Sequence, residues 1–166
     1  MLLVSAFPCL GKTTLYKINK QVIFDSEFNE TKSIKELNEE QIFHFFRACA
    51  DIVELRNKNS NSLVQFITDD DRLLQELYIR GIKPILVFPD IFDESYLKEY
   101  RKKVIERSGK EWFEQVVRPK IQLLPDRIQK YSKLGYEIRY INHTNPYLEN
   151  VIDFSEEIKR YRQTDS

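Results

Sequence analysis

With 166 residues, the chain is long enough to bury one core and too short for two full domains, so a single domain over 1–166 is expected. Its 26 lysines and arginines balance 26 aspartates and glutamates, which argues against a surface built to coat nucleic acid or an anionic membrane but not against a small basic pocket for one phosphorylated ligand. Cys9 and Cys49 lie outside any CxxC or CxxH pattern, which argues against a zinc site or a disulfide framework and for a reducing, cytoplasmic setting. No apolar run approaches the roughly 20 residues of a membrane span, and no basic segment precedes the apolar Met1–Phe7, so a signal peptide is not expected.

The first predicted element is the strand Leu2–Ser5, short and almost wholly apolar, as central parallel strands are. It runs into Ala6-Phe7-Pro8-Cys9-Leu10-Gly11-Lys12-Thr13-Thr14. The phosphate-binding pattern G-x-x-x-x-G-K-[ST] is met at Gly11, Lys12 and Thr13 and departs at its first position, where Ala6 stands. In such a loop the backbone amides and the following helix N-terminus point at phosphate oxygens. Gly11 allows close approach of the backbone, Lys12 brings a flexible positive charge to the outer phosphates, and Thr13 ligates a magnesium ion bridging them. The nucleotide-binding set is therefore Ala6, Pro8, Cys9, Leu10, Gly11, Lys12, Thr13 and Thr14, with ATP and magnesium as ligands. A bare Gly-Lys-Thr recurs by chance; its position at the first strand-to-helix turn gives it weight. Alanine in place of the first glycine is expected to distort the loop if that position needs an unusual backbone angle. Cys9, at the crown, reads as a small filler residue.

A short helix, Thr13–Asn19, leads to a second strand, Gln21–Phe24, followed by Asp25-Ser26-Glu27. Ligands of open α/β sheets sit at the carboxyl ends of strands. Two acids there suit phosphoryl chemistry: Asp25 to hold magnesium through water, and Asp25 or Glu27 to orient or deprotonate an attacking hydroxyl. The competing reading is that they are solvated loop acids ahead of the next helix. That helix spans Ser33–Lys58, with an apolar stripe from Ile42 to Leu55. After the strand Leu63–Ile67 the same ambiguity returns: Thr68 or Asp69 lies near the metal, and Asp70 or Asp71 caps the helix Asp70–Arg80, which carries Leu73, Leu74 and Leu77. The strand Ile85–Phe88 follows Gly81, and the strand Glu137–Ile141 follows Gly135, each glycine being a helix stop. Between them, Asp93–Lys133 is helical and heavily charged, with no strand pattern. It is either a static surface hairpin or a lid, the lid spanning 93–118. Strands alternating with helices predict an α/β fold, with five parallel strands covered on both faces.

The loop and the acids after the second strand resemble P-loop kinases of small metabolites, Asp25-Ser26-Glu27 being similar to the D-x-D of shikimate and gluconate kinases with Glu27 in place of the second aspartate. The order Phe7-Pro8-x-x-Gly11-Lys12-Thr13, Phe24-Asp25-Ser26, Val87-Phe88-Pro89-Asp90 and Tyr96-Leu97-x-x-Tyr100-Arg101, with Arg107 nearby, resembles phage and bacterial deoxynucleoside monophosphate kinase-like proteins from Leu2 to about Ile152. The resemblance implies a P-loop NTPase-type three-layer sandwich with a helical lid and ATP-dependent phosphoryl transfer to a small phosphorylated acceptor, a nucleoside or deoxynucleoside monophosphate. It makes Arg101 and Arg107 lid arginines that close over the transferring phosphate and exclude water, and it places the loop Asn142–Asn150 near the nucleotide base. The first helix is shorter than the family's. A polynucleotide 5′-kinase and a nucleotide-binding module without turnover stand as alternatives, the balanced charge arguing against the former.

Overall fold

Short apolar runs bounded by turn residues become parallel strands, and the amphipathic stretches between them become helices. The computed structural model describes residues 2–12, 23–26, 36–59 and 64–154. The chain divides into two compact units, one of Met1–Ala6, Lys12–Pro84 and Phe154–Ser166, the other of Phe7–Gly11 and Ile85–Asp153. The α/β class and the parallel pairing are as expected. The predicted helix Thr13–Asn19 and the residues Thr13, Thr14 and Glu27 lie outside the described residues.

In the first unit, β1 (Leu2–Ala6), β2 (Ile23–Ser26) and β3 (Val64–Ile67) pair in parallel in the order β2-β3-β1. The register sets Ser5 opposite Ile67 and Asp25 opposite Phe66. The second strand therefore runs on through Ser26, and Asp25 lies within it rather than in the loop beyond. All four residues of β3 are buried, as a central parallel strand requires. The helix α1 (Glu39–Asn59) buries Phe46, Cys49, Ala50 and Val53 at helical spacing. It starts at Glu39 rather than Ser33, where Asn38 and Gln41 close a reciprocal cap: each backbone N–H donates to the other's side-chain oxygen at 2.9 Å. The next helix, α2 (Asp71–Ile79), buries Leu73, Leu74 and Leu77. Asp70 caps it by accepting from the Arg72 amide at 2.9 Å. Arg80, at its end, pairs with Asp51 and Glu54 of α1 at 2.6 and 3.1 Å.

In the second unit, β4 (Ile85–Pro89) and β5 (Ile138–Ile141) pair in parallel, with Phe88 opposite Tyr140. The charged stretch between them is helical, as expected. Here α3 (Glu94–Ser108) is capped by Asp93 and buries Tyr96, Tyr100 and Val104. Gly109, at φ +91°, ends it in a backbone conformation that other residues rarely adopt. A second helical run follows without a break: α4 (Lys110–Trp112), a π-helical turn (Phe113–Val117) and α5 (Arg118–Lys133). Pro119 has no amide hydrogen to give to a carbonyl of that turn, and a widened turn of this kind is where helices accommodate such a gap. A short helix, α6 (Leu148–Val151), closes the unit. Among the described residues no helix is long and apolar enough to cross a membrane.

Candidate phosphate-binding site

The loop Phe7–Gly11 belongs to the second unit and is fastened there at three points. The Phe7 amide donates to the Val87 carbonyl at 3.0 Å. The Phe7 ring is fully buried, edge-on to Phe88 and tilted against Tyr100, with centroids 6.3 Å away in both cases. The Tyr100 hydroxyl donates to the Pro8 carbonyl at 2.7 Å. Beyond these anchors the backbone turns through two residues of positive φ, Cys9 at +60° and Gly11 at +99°. Successive inversions of this kind turn backbone N–H groups toward one side, the arrangement that cradles anions.

The expected distortion at Ala6 is absent. Ala6 ends β1 in extended backbone and is fully buried, and Cys9 is the one non-glycine residue of positive φ among those described. The unusual angle thus falls three residues later than anticipated, so a methyl group at position 6 costs nothing in backbone strain. Cys9 carries that cost instead, of order 1–3 kcal/mol for a side chain in this region. It is half-buried and forms no disulfide.

In the first unit the backbone turns helical at Lys12, whose side chain is only 6% exposed. A lysine is almost never so enclosed unless it is paired, and this one does have partners. Just past the end of β3, Asp69 is 3% exposed and also engaged. The Ser5 hydroxyl donates to the Thr68 carbonyl at 3.0 Å, tying the ends of β1 and β3 together beside it. Of the two candidates after β3, Asp69 is therefore the enclosed carboxylate, while Asp70 is the helix cap. Among the described residues no three His, Cys, Asp or Glu side chains gather in a metal-ligating group.

The two proposed lid arginines are not brought together. In unbroken α3 their six-residue separation sets them about 120° apart around the axis; both are exposed, Arg107 lying in the last turn. Arg101 instead meets Arg118 through a shared carboxylate. Glu114, on the π-helical turn, accepts from Arg101 at 3.2 Å with one oxygen and from Arg118 at 2.7 Å with the other. These contacts, chiefly the Arg118 hydrogen bond, hold the Glu114 carboxyl below the usual glutamate range.

Sequence reasoning did not single out Tyr100 as an anchor, nor Arg127. Lys120, Leu124, Arg127 and Tyr131 fall at i, i+4, i+7 and i+11 of α5, one face of a helix. Lys120 sits 6.0 Å from the Phe7 ring centroid, and the buried Arg127 guanidinium lies 5.4 Å from that of Phe88. The clue available in the sequence was phase: Arg127 keeps step with Leu124 and Tyr131. A separate cluster joins the loop after β5 to the start of α3. His143 Nδ1 lies 3.2 Å from Glu99, its Nε2 lies 3.0 Å from Ser95 Oγ, and Ser95 Oγ donates to Asp93. Comparison of the chain with protein families, with curated proteins and with solved structures returns no match.

Proposed function

We propose that this chain binds the phosphates of ATP at Ala6–Thr14 and transfers the terminal phosphoryl group to a small phosphorylated acceptor, a nucleoside monophosphate. One observation carries the reading: the loop that precedes Lys12 in the sequence takes positive φ at Cys9 and Gly11. Backbone of this kind followed in the chain by Gly11-Lys12-Thr13 suits a polyphosphate far better than a neutral ligand. The P-loop NTPase-type sandwich with a five-stranded sheet, the helical lid at 93–118, the base near Asn142–Asn150 and a cytoplasmic setting belong to the same proposal.

Magnesium belongs to the same proposal, with Thr13, Asp25 and Asp69 as the residues that would hold it. This ion keeps several waters and takes one or two carboxylates beside substrate phosphates, and these three are oxygen donors of that kind. When bound, it neutralises phosphate charge as the transfer proceeds. The chain's own contribution is positional. The loop amides and Lys12 hold the donor, and an acceptor phosphate oxygen then forms its bond to the terminal phosphorus as the bond to the bridging oxygen breaks and ADP leaves.

Lys12→Ala tests the proposal. Loss of an ion-paired phosphate contact is expected to weaken ATP binding at least tenfold, about 1.4 kcal/mol, in a variant that still melts cooperatively. Equal ATP affinity in a folded Lys12→Ala protein would refute it.

A further inference from the structure

The shared carboxylate of Glu114 marks a place where an anion of another kind fits better. Arg101 comes from α3 and Arg118 from the start of α5, yet both guanidinium groups converge on one side chain. Lys110 adds a third positive charge that acts on the same carboxylate. Two guanidinium groups thus meet one monovalent anion. The side chains of Arg101 and Arg118 are 54% and 60% exposed, open to a solute, whereas Glu114 is 27% exposed. Exposed ion pairs of this kind contribute little individually, so exchanging one anion for another costs the protein little. A phosphate monoester offers three terminal oxygens and nearly two negative charges at neutral pH, which matches two planar forks of donors better than a carboxylate does.

The position of the pair adds to this. The residue before Arg101 is Tyr100, bonded to Pro8, and two residues after Arg118 comes Lys120, over the Phe7 ring. Both arginines therefore flank residues that touch the loop Phe7–Gly11, within a single unit. We infer that Arg101 and Arg118 form a binding subsite for a phosphate monoester, occupied by Glu114 as an internal counterion that the incoming phosphate displaces. The inference rests on the proposed function in assigning that monoester to the acceptor, and it names Arg118, rather than Arg107, as the partner of Arg101.

The test is a titration of the full chain with methyl phosphate at constant ionic strength, followed by the phosphorus resonance of the ligand, in the absence of ATP. Glu114→Gln keeps the side-chain shape and removes the competing charge. It is expected to tighten the apparent Kd about threefold or more, while Arg118→Gln and Arg101→Gln each weaken it about tenfold. Lys133→Gln, at the far end of α5, leaves it unchanged. Thermal melting of each variant verifies that it is folded, and Glu114→Asp, which retains the charge, is the control for altered packing and is expected to bind no more tightly than the wild type. Equal affinity in the wild type and Glu114→Gln, or no methyl phosphate binding by either, would overturn the inference. Because ATP is absent, the result is independent of the Lys12→Ala experiment, and the two proposals can fail separately.

Discussion

The Tyr100 hydroxyl donates to the carbonyl oxygen of Pro8 over 2.7 Å, a hydrogen bond between residues 92 positions apart that fixes the first helix of the charged segment to the crown of the loop. Tyr100→Phe keeps the buried ring and deletes only this donor, leaving a carbonyl without its partner. A loss of about 1 kcal/mol in stability is expected, with weaker ATP binding. Thermal melting and nucleotide titration read both effects; if neither changes, the contact is incidental to the loop.

Gly11→Ala isolates backbone conformation from space. A Cβ at this position meets nothing within 4 Å, yet φ is +99°. The expected cost is about 1–2 kcal/mol, arising from the dihedral angle alone, and ATP affinity falls as the loop relaxes. A variant as stable as the wild type would show that the loop tolerates a negative φ here.

Asp25→Asn and Asp69→Asn separate the two acids. Asp25 stands within the short strand β2, and its proposed role is with metal or acceptor, so turnover should drop at least tenfold while the melting temperature barely moves. Asp69 is enclosed and engaged by other groups. Removing its charge is expected to reduce stability by about 1–3 kcal/mol as well as magnesium-dependent ATP binding. Full activity in Asp25→Asn would make it an ordinary strand residue.

The cap of α3 is expected to respond to acid. The Tyr96 amide, the Ser95 hydroxyl and the neighbouring His143 hold the Asp93 carboxyl below its ordinary range. The folded form therefore binds this proton less readily than the unfolded chain. The stabilisation is present in full above about pH 5 and is lost as the pH falls below about 4, through the lowered native value. Asp93→Asn remains a competent cap without the charge. The difference in melting temperature between wild type and Asp93→Asn should shrink as the pH is taken from 6 to about 3. A difference independent of pH would show that the charge contributes nothing.

The parts of the fold that were legible are those governed by local chemistry. Ile85–Phe88 reads as a buried strand because it is apolar throughout, and Asp70 reads as a cap because a short acid precedes an amphipathic run. The start of α1 at Glu39 is fixed by the hydrogen bonds between Asn38 and Gln41, whereas the polar stretch ahead of the apolar stripe offers Ser33 as a cap equally well. The charged segment was read as helical, but its internal order was not. Tyr100 among lysines and glutamates looks like an amphipathic surface residue until the loop it bonds is known, and a partner 92 positions away leaves no local trace. Arg127 was passed over for a similar reason: charge suggests solvent, whereas phase with Leu124 and Tyr131 places it inside. The pairing of Arg118 with Glu114 is of ordinary helical spacing, but the contact that brings Arg101 to the same carboxylate spans 13 positions across Gly109 and leaves no local trace.

The π-helical turn also bears on phase along the chain. One residue more or less in a helix rotates everything beyond it by about 100°. Deleting a single residue from Phe113–Val117 escapes this rotation: the widened turn already holds one residue more than an ordinary turn, so its loss restores ordinary winding and leaves Lys120, Leu124, Arg127 and Tyr131 on the side that now faces Phe7 and Phe88. The five residues thus act as a length buffer, whereas a deletion from the ordinary helix between Lys120 and Tyr131 would split that face. Any chain that shares this architecture is expected to vary by one residue in this turn sooner than within α5.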